Sequence, residues 1–167
     1  MSTTIGYRTL QSPLGEMLLV AEGDALCGVY FSGQKYFPTL RDGGRADATR
    51  AILVDSGRQL AEYFDGTRKV FDMPLAPAGT SFQRAIWRQI AAVPWGATTT
   101  YSTLAARVGR PNAVRAAGAA TGRNPLSLIV PCHRIVGADG GLTGYAGGLD
   151  RKRALHALER IDTRFAA

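Results

Sequence analysis

The chain has 167 residues, 46% hydrophobic and 20% charged, which suits one or two folded domains and excludes global disorder. No apolar run approaches the roughly 18–20 residues of a membrane-spanning helix, and the N-terminus reads as no leader peptide, so a cytoplasmic protein is expected. Two cysteines, Cys27 and Cys132, exclude a disulfide scaffold, and the net charge of +7 is unevenly placed. Residues 1–79 hold 8 basic and 9 acidic side chains, whereas residues 80–167 hold 12 basic and 4 acidic ones, hence +8. A basic half joined to a neutral half points to a polyanion partner, although an ordinary basic surface has the same composition.

In chain order, residues 6–11, 17–22 and 26–31 read as short strands, separated by turn signals at Ser12-Pro13-Leu14-Gly15 and Gly23-Asp24. They predict an antiparallel meander. Residues 33–50 are polar and glycine-bearing and read as loop. Apolar residues at 53, 54, 57, 60, 61 and 64 predict a helix over 51–64, ended by Asp65-Gly66. The Pro-rich stretch Met73-Pro-Leu-Ala-Pro-Ala-Gly-Thr80 reads as a linker between domains 1–79 and 80–167.

Thr80 or Ser81 can cap a helix with Phe82, Ala85, Ile86 and Ile90 on one face. Ser102 can cap the next, over 103–108. Pro111 or Asn112 opens another, through 113–121 to Gly122. The last two, joined around Gly109, have helix-turn-helix proportions, as many αα-hairpins do. Arg115 is the one long side chain in 113–121. That composition suits close backbone approach or shape reading of DNA better than base reading. Plain helix packing is the other account.

Residues 128–130 read as a buried β-like run, followed by Cys132 and His133. A cysteine beside a histidine is a candidate activated thiol, since the thiolate is the nucleophile and neighbouring cations favour it. Adjacent residues on an extended chain face opposite ways, so a water bridge between the two is expected rather than direct contact. A packed cysteine remains the alternative. Six glycines over 137–148 mark a loop without phosphate-cradle spacing. Apolar residues at 154, 155, 158 and 161 predict a helix over 152–161.

The segment Pro131-Cys132-His133-Arg134-Ile135-Val136-Gly137 resembles the active-site motif of the O6-alkylguanine-DNA alkyltransferases, or methylated-DNA–protein-cysteine methyltransferases. The resemblance includes Thr100-Tyr101, Arg115, Asn124-Pro125, Gly144-Tyr145-Ala146-Gly147-Gly148-Leu149 and Glu159. It implies a two-domain α/β (α+β) fold. The N-terminal part would be a small ribonuclease H-like sheet with a helix, and the C-terminal part a mostly helical, winged-helix-like domain with a helix-turn-helix. It implies single-turnover transfer of an alkyl group from O6-alkylguanine in duplex DNA to Cys132, after the damaged nucleotide is flipped out, with no cofactor.

Carried over by residue, Cys132 is the acceptor, His133 its base, Glu159 the group that orients His133, Asn124 a strut, and Tyr101 a proton source for the departing base. Arg115, Ala116, Gly118, Thr100, Ser102 and Arg134 are expected at the DNA. Tyr145, Ala146, Gly147, Val130 and Val136 are expected around the base. Ala146 stands where some members have serine. Some members hold zinc with cysteines and histidines of the first half; here that half offers only Cys27, and both His133 and His156 lie in the second, so no metal is expected. A monomer on DNA is expected, with cooperative binding left open. Alternatives are a lesion-binding protein, which would lack the acceptor cysteine, a thiol hydrolase, which would not need the basic half, and a helix-turn-helix regulator indifferent to Cys132.

Overall fold

The computed structural model describes residues 4–40 and 44–162. Its contacts divide the chain into two compact units, Met1–Ala78 and Gly79–Ala167.

In the first unit, β1 (Ile5–Ser12), β2 (Gly15–Glu22) and β3 (Ala25–Phe31) form the expected antiparallel meander. The first turn is fixed locally. Ser12 Oγ accepts from Leu14 N at 3.1 Å and donates to Gly15 O at 2.7 Å, and Gly15 takes φ 111°, which favours glycine. The 33–50 stretch is not all loop. Arg45–Ala46 form a two-residue β4 that pairs in parallel with β1, giving the order β3-β2-β1-β4. Such a strand is too short to show a period. Residues 41–43 of that stretch lie outside the described residues.

Helix α1 (Ala51–Phe64) has the expected bounds and buries Ile52, Leu53, Leu60 and Tyr63. Strand β2 is the centre of this core, with Met17–Ala21 buried without alternation. The proline-rich stretch is tied down in part. Leu26 N donates to Pro74 O, and Ala76 N to Leu26 O, both at 2.9 Å, extending the edge beyond β3.

In the second unit, α2 (Ser81–Ala91) starts from a capping box in which Thr80 Oγ1 accepts from Gln83 N and Gln83 Oε1 accepts from Thr80 N. Helix α3 (Tyr101–Arg107) is capped by Thr100, two residues before the expected Ser102, because the Thr100 hydroxyl reaches Thr103 N at 3.2 Å. Helix α4 (Val114–Gly122) starts after Ala113 with no side-chain cap, so neither Pro111 nor Asn112 opens it. Trp87 of α2 donates to Ala120 O at 2.8 Å and anchors the α4 end. The turn between α3 and α4 passes through Gly109 at φ 77°.

Residues 128–130 are buried, as expected, but are not a strand. Leu128 sits at φ 73° in a turn closed by Val130 N donating to Leu126 O at 2.9 Å. A left-handed leucine costs roughly 1–3 kcal/mol and persists only when its surroundings hold it. A 3₁₀ turn, Cys132–Arg134, follows and leads into β6 (Ile135–Val136). Strand β6 pairs in parallel with β5 (Thr99–Thr100), which brings the start of α3 beside the Cys132 turn. Helix α5 (Leu149–Leu158) closes the unit.

Candidate active site

The site is built around the turn that carries Cys132. Asn124 holds that turn from below: its Nδ2 donates to Val130 O at 2.7 Å, and its Oδ1 accepts from Leu126 N at 2.9 Å. These two bonds satisfy the buried backbone on both sides of Leu128. The strut role expected of Asn124 therefore has a concrete geometry.

Cys132 is buried, and burial pushes its thiol above the ordinary range. Hydrogen bonding from Asn124, the positive charge of Lys152 and nearby backbone amides oppose this without reversing it. The cationic neighbours expected to favour the thiolate do not outweigh burial. Desolvation wins, so the thiol needs a base rather than standing ready as thiolate.

A base is adjacent. His133 is fully buried, and its Nε2 lies 2.5 Å from Glu159 Oε2. A carboxylate only accepts, so the ring proton is on Nε2 and Nδ1 carries a lone pair. Nδ1 is buried with no hydrogen-bond partner among the described residues. The Cys132 thiol and the His133 ring thus make no direct hydrogen bond. The two residues begin a 3₁₀ turn rather than an extended segment, so the geometric premise of alternating faces does not apply, although the thiol and the ring share no hydrogen bond, as expected. Burial pulls His133 below its ordinary value against the pull of Glu159, which leaves the ring neutral near pH 7.

Glu159 is buried rather than an exposed helical charge, and it caps the C-terminal end of α5. Besides His133 it accepts from Arg134 Nε at 2.7 Å, Arg134 Nη2 at 3.1 Å and Gly96 N at 3.3 Å. Arg134 was expected at the DNA; it is only 5% exposed, and its Nη1 donates to Val93 O at 2.6 Å. Its guanidinium is used internally, holding Glu159, since a buried charge requires a partner.

Tyr101 is half-buried at the start of α3. Its hydroxyl accepts from Thr143 Oγ1 at 3.1 Å, and burial raises its pKa, so the phenol keeps its proton at neutral pH. Thr100 is occupied in capping α3, and Ser102 is exposed beside it at 3.1 Å. On α4, Arg115 and Ala116 are exposed; a Cβ at Gly118 would sit 3.8 Å from the Tyr101 ring. Val130 and Val136 are buried, and Tyr145, Ala146 and Gly147 are half-buried in the glycine-rich segment.

Helix α5 departs from its expected apolar face. The residues it buries are Lys152, Leu155 and His156, with Glu159 one step beyond. Lys152 Nζ donates to Ile135 O at 2.6 Å and to Thr143 O at 2.9 Å, tying β6 to the glycine-rich loop. Burial lowers its pKa to about 8. His156 Nε2 donates to His133 O at 2.6 Å. Neither Lys152 nor His156 was singled out as a site residue. The signal was their spacing with Glu159, at i, i+4 and i+7, which places all three on one helix face. Among the described residues no cluster of three or more His, Cys, Asp or Glu could hold a metal ion.

Two family models match the chain. The 6-O-methylguanine DNA methyltransferase ribonuclease-like domain matches residues 5–77, and the DNA binding domain of the same description matches residues 81–161. The chain belongs to the 6-O-methylguanine DNA methyltransferase family. Among its curated relatives, the methylated-DNA–protein-cysteine methyltransferase of Mycolicibacterium paratuberculosis is 43% identical over 156 residues, 93% of each chain. That of Methanosarcina barkeri is 40% identical and spans 95% of this chain and 99% of its own. The crystal structure of Mycobacterium tuberculosis OGT in complex with DNA is 41% identical with a TM-score of 0.85, covering 93% of this chain and 92% of that one. The resemblance and the two-part α/β fold read from the sequence are thereby borne out.

Proposed function

We propose that this family member is a direct-reversal DNA repair protein: a monomer that takes the alkyl group from O6-alkylguanine in duplex DNA onto Cys132, once per molecule, after the damaged nucleotide has been flipped into its pocket. The observation that carries this is a buried thiol next in the chain to a buried histidine whose ring has one bare nitrogen and the other fixed by a carboxylate.

In this reading the thiol proton passes through a water to His133 Nδ1, and Glu159 stabilises the resulting imidazolium. The sulfur attacks the alkyl carbon. The S–C bond forms as the C–O6 bond breaks, and the electron pair leaves on the guanine, which takes a proton from the Tyr101 hydroxyl; Tyr101 is later reprotonated from His133 or solvent. The thioether has no route back to a thiol, so turnover stops.

Arg115, Ala116 and Gly118 on α4, with Thr100 and Ser102 at the head of α3, form the DNA-facing set. Exposed Arg115 fills the gap left by the flipped base. Tyr145, Ala146, Gly147, Val130 and Val136 surround the base, and with Ala146 in place of a hydroxyl the loop amides recognise its edge. The +8 charge of residues 80–167 supports a duplex partner, as does the OGT solved with DNA.

The Cys132→Ser variant tests the reading. It should transfer no alkyl group yet bind methylated duplex as the wild type does. Transfer by this variant, or loss of its binding, would count against the proposal.

A further inference from the structure

The polar face of α5 grips the active-site segment at successive points. Glu159 holds the His133 ring and Arg134, His156 holds the His133 main-chain carbonyl, and Lys152 holds the Ile135 carbonyl. Alkyl transfer through His133 uses the first of these and leaves His156 without a task. His156 is 1% exposed. Its Nε2 must carry the proton, because a carbonyl only accepts, and its Nδ1 is buried without a hydrogen-bond partner. A buried imidazole with one unused polar atom is a costly way to fill a core position, for which leucine would suffice. Lys152 sits one turn before it and Glu159 one turn after.

We infer that His156 is a positioning residue for alkyl transfer. It fixes the His133 main-chain carbonyl while Glu159 fixes the ring, so that the two together hold residue 133 by its backbone and its side chain. The ring is then held by its carboxylate and the main chain by His156. Nδ1 of His133 stays directed along one line rather than swinging with the short 3₁₀ turn. A displacement of the order of 1 Å in a catalytic group is enough to slow a reaction about a hundredfold. The inference rests on the proposed role of His133 as the base that deprotonates Cys132.

Three variants separate positioning from packing. Gln places an amide N–H where His156 Nε2 lies, Asn carries the same amide but stops short, and Leu fills the space with no donor. Single-turnover transfer from methylated duplex and duplex affinity are measured for each. His156→Leu and His156→Asn should transfer about tenfold more slowly, equivalent to about 1.4 kcal/mol in the barrier, with affinity unchanged. His156→Gln should recover most of the rate.

The chain has only two histidines, so the ring signals of His133 are readily assigned by NMR. They should move in the Leu and Asn variants and stay in place in the Gln variant. Equal rates in all four proteins, or a Gln variant as slow as Leu with His133 signals unmoved, would overturn the inference. Failure of the wild type itself to alkylate Cys132 would instead overturn the proposed function, which keeps the two outcomes distinct.

Discussion

Replacing Glu159 with Gln keeps the shape of the buried hub and removes its charge. Two donors converge on each carboxylate oxygen: His133 Nε2 and Arg134 Nη2 on Oε2, and Arg134 Nε and Gly96 N on Oε1. Whichever end the Gln amide nitrogen takes, it faces two donors. Arg134, 5% exposed, is left as a buried cation without an anion. Breaking a buried pair in this way costs roughly 3–5 kcal/mol. At roughly 2–4 °C per kcal/mol for a chain of this length, the melting temperature should fall by about 10 °C.

Activity should fall further than stability alone explains, because the imidazolium of His133 loses its counter-ion; loss of general-base function is typically worth roughly 10²–10⁴ in rate. The double variant Arg134→Met, Glu159→Gln removes the stranded cation and should regain part of the stability. It should not regain the transfer rate. Urea midpoints and single-turnover rates on methylated duplex distinguish these effects. A Glu159→Gln variant less than about 1 kcal/mol destabilised, or a double variant with restored rate, would refute the reasoning.

Three further outcomes follow from the same geometry. Asn124→Ala removes the strut and strands Val130 O and Leu126 N, at roughly 1–3 kcal/mol each, so the urea midpoint should drop and transfer should slow together. Lys152 titrates at about 8 in the folded chain against an ordinary value of 10.5, so between those values the unfolded chain binds more protons and Lys152 makes stability rise with pH. The stability difference between wild type and Lys152→Met should therefore shift in favour of the wild type from pH 8 to 10; parallel profiles would contradict this. Arg115→Ala should impair repair of duplex far more than reaction with the free modified base, and equal losses would remove Arg115 from base extrusion.

Much of the fold was legible because local chemistry decides it. Ser12-Pro13-Leu14-Gly15 dictates a hairpin, and the apolar period of 51–64 gives α1 its bounds. The errors have physical causes. Ser102 and Thr100 are equally good caps by type, and only the backbone geometry before α3 selects Thr100. Leu128-Ile129-Val130 has the composition of a strand, but the Asn124 strut turns it, which no periodicity records. Arg134 is placed at the DNA by the resemblance alone; its burial depends on a carboxylate 25 residues away. Lys152 and His156 lay on a helix read for its apolar residues, and their polar face became visible only once the segment they hold was folded against it.

The central claim concerns the sulfur of Cys132. The wild-type protein is incubated with duplex DNA bearing one O6-methylguanine, its intact mass is taken, and the modified peptide is mapped. One methyl per protein, located on Cys132 and accumulating to a stoichiometric end point with restored guanine in the duplex, is the predicted result. Unmodified protein still bound to the damaged duplex, or a methyl group on any other residue, would contradict the account.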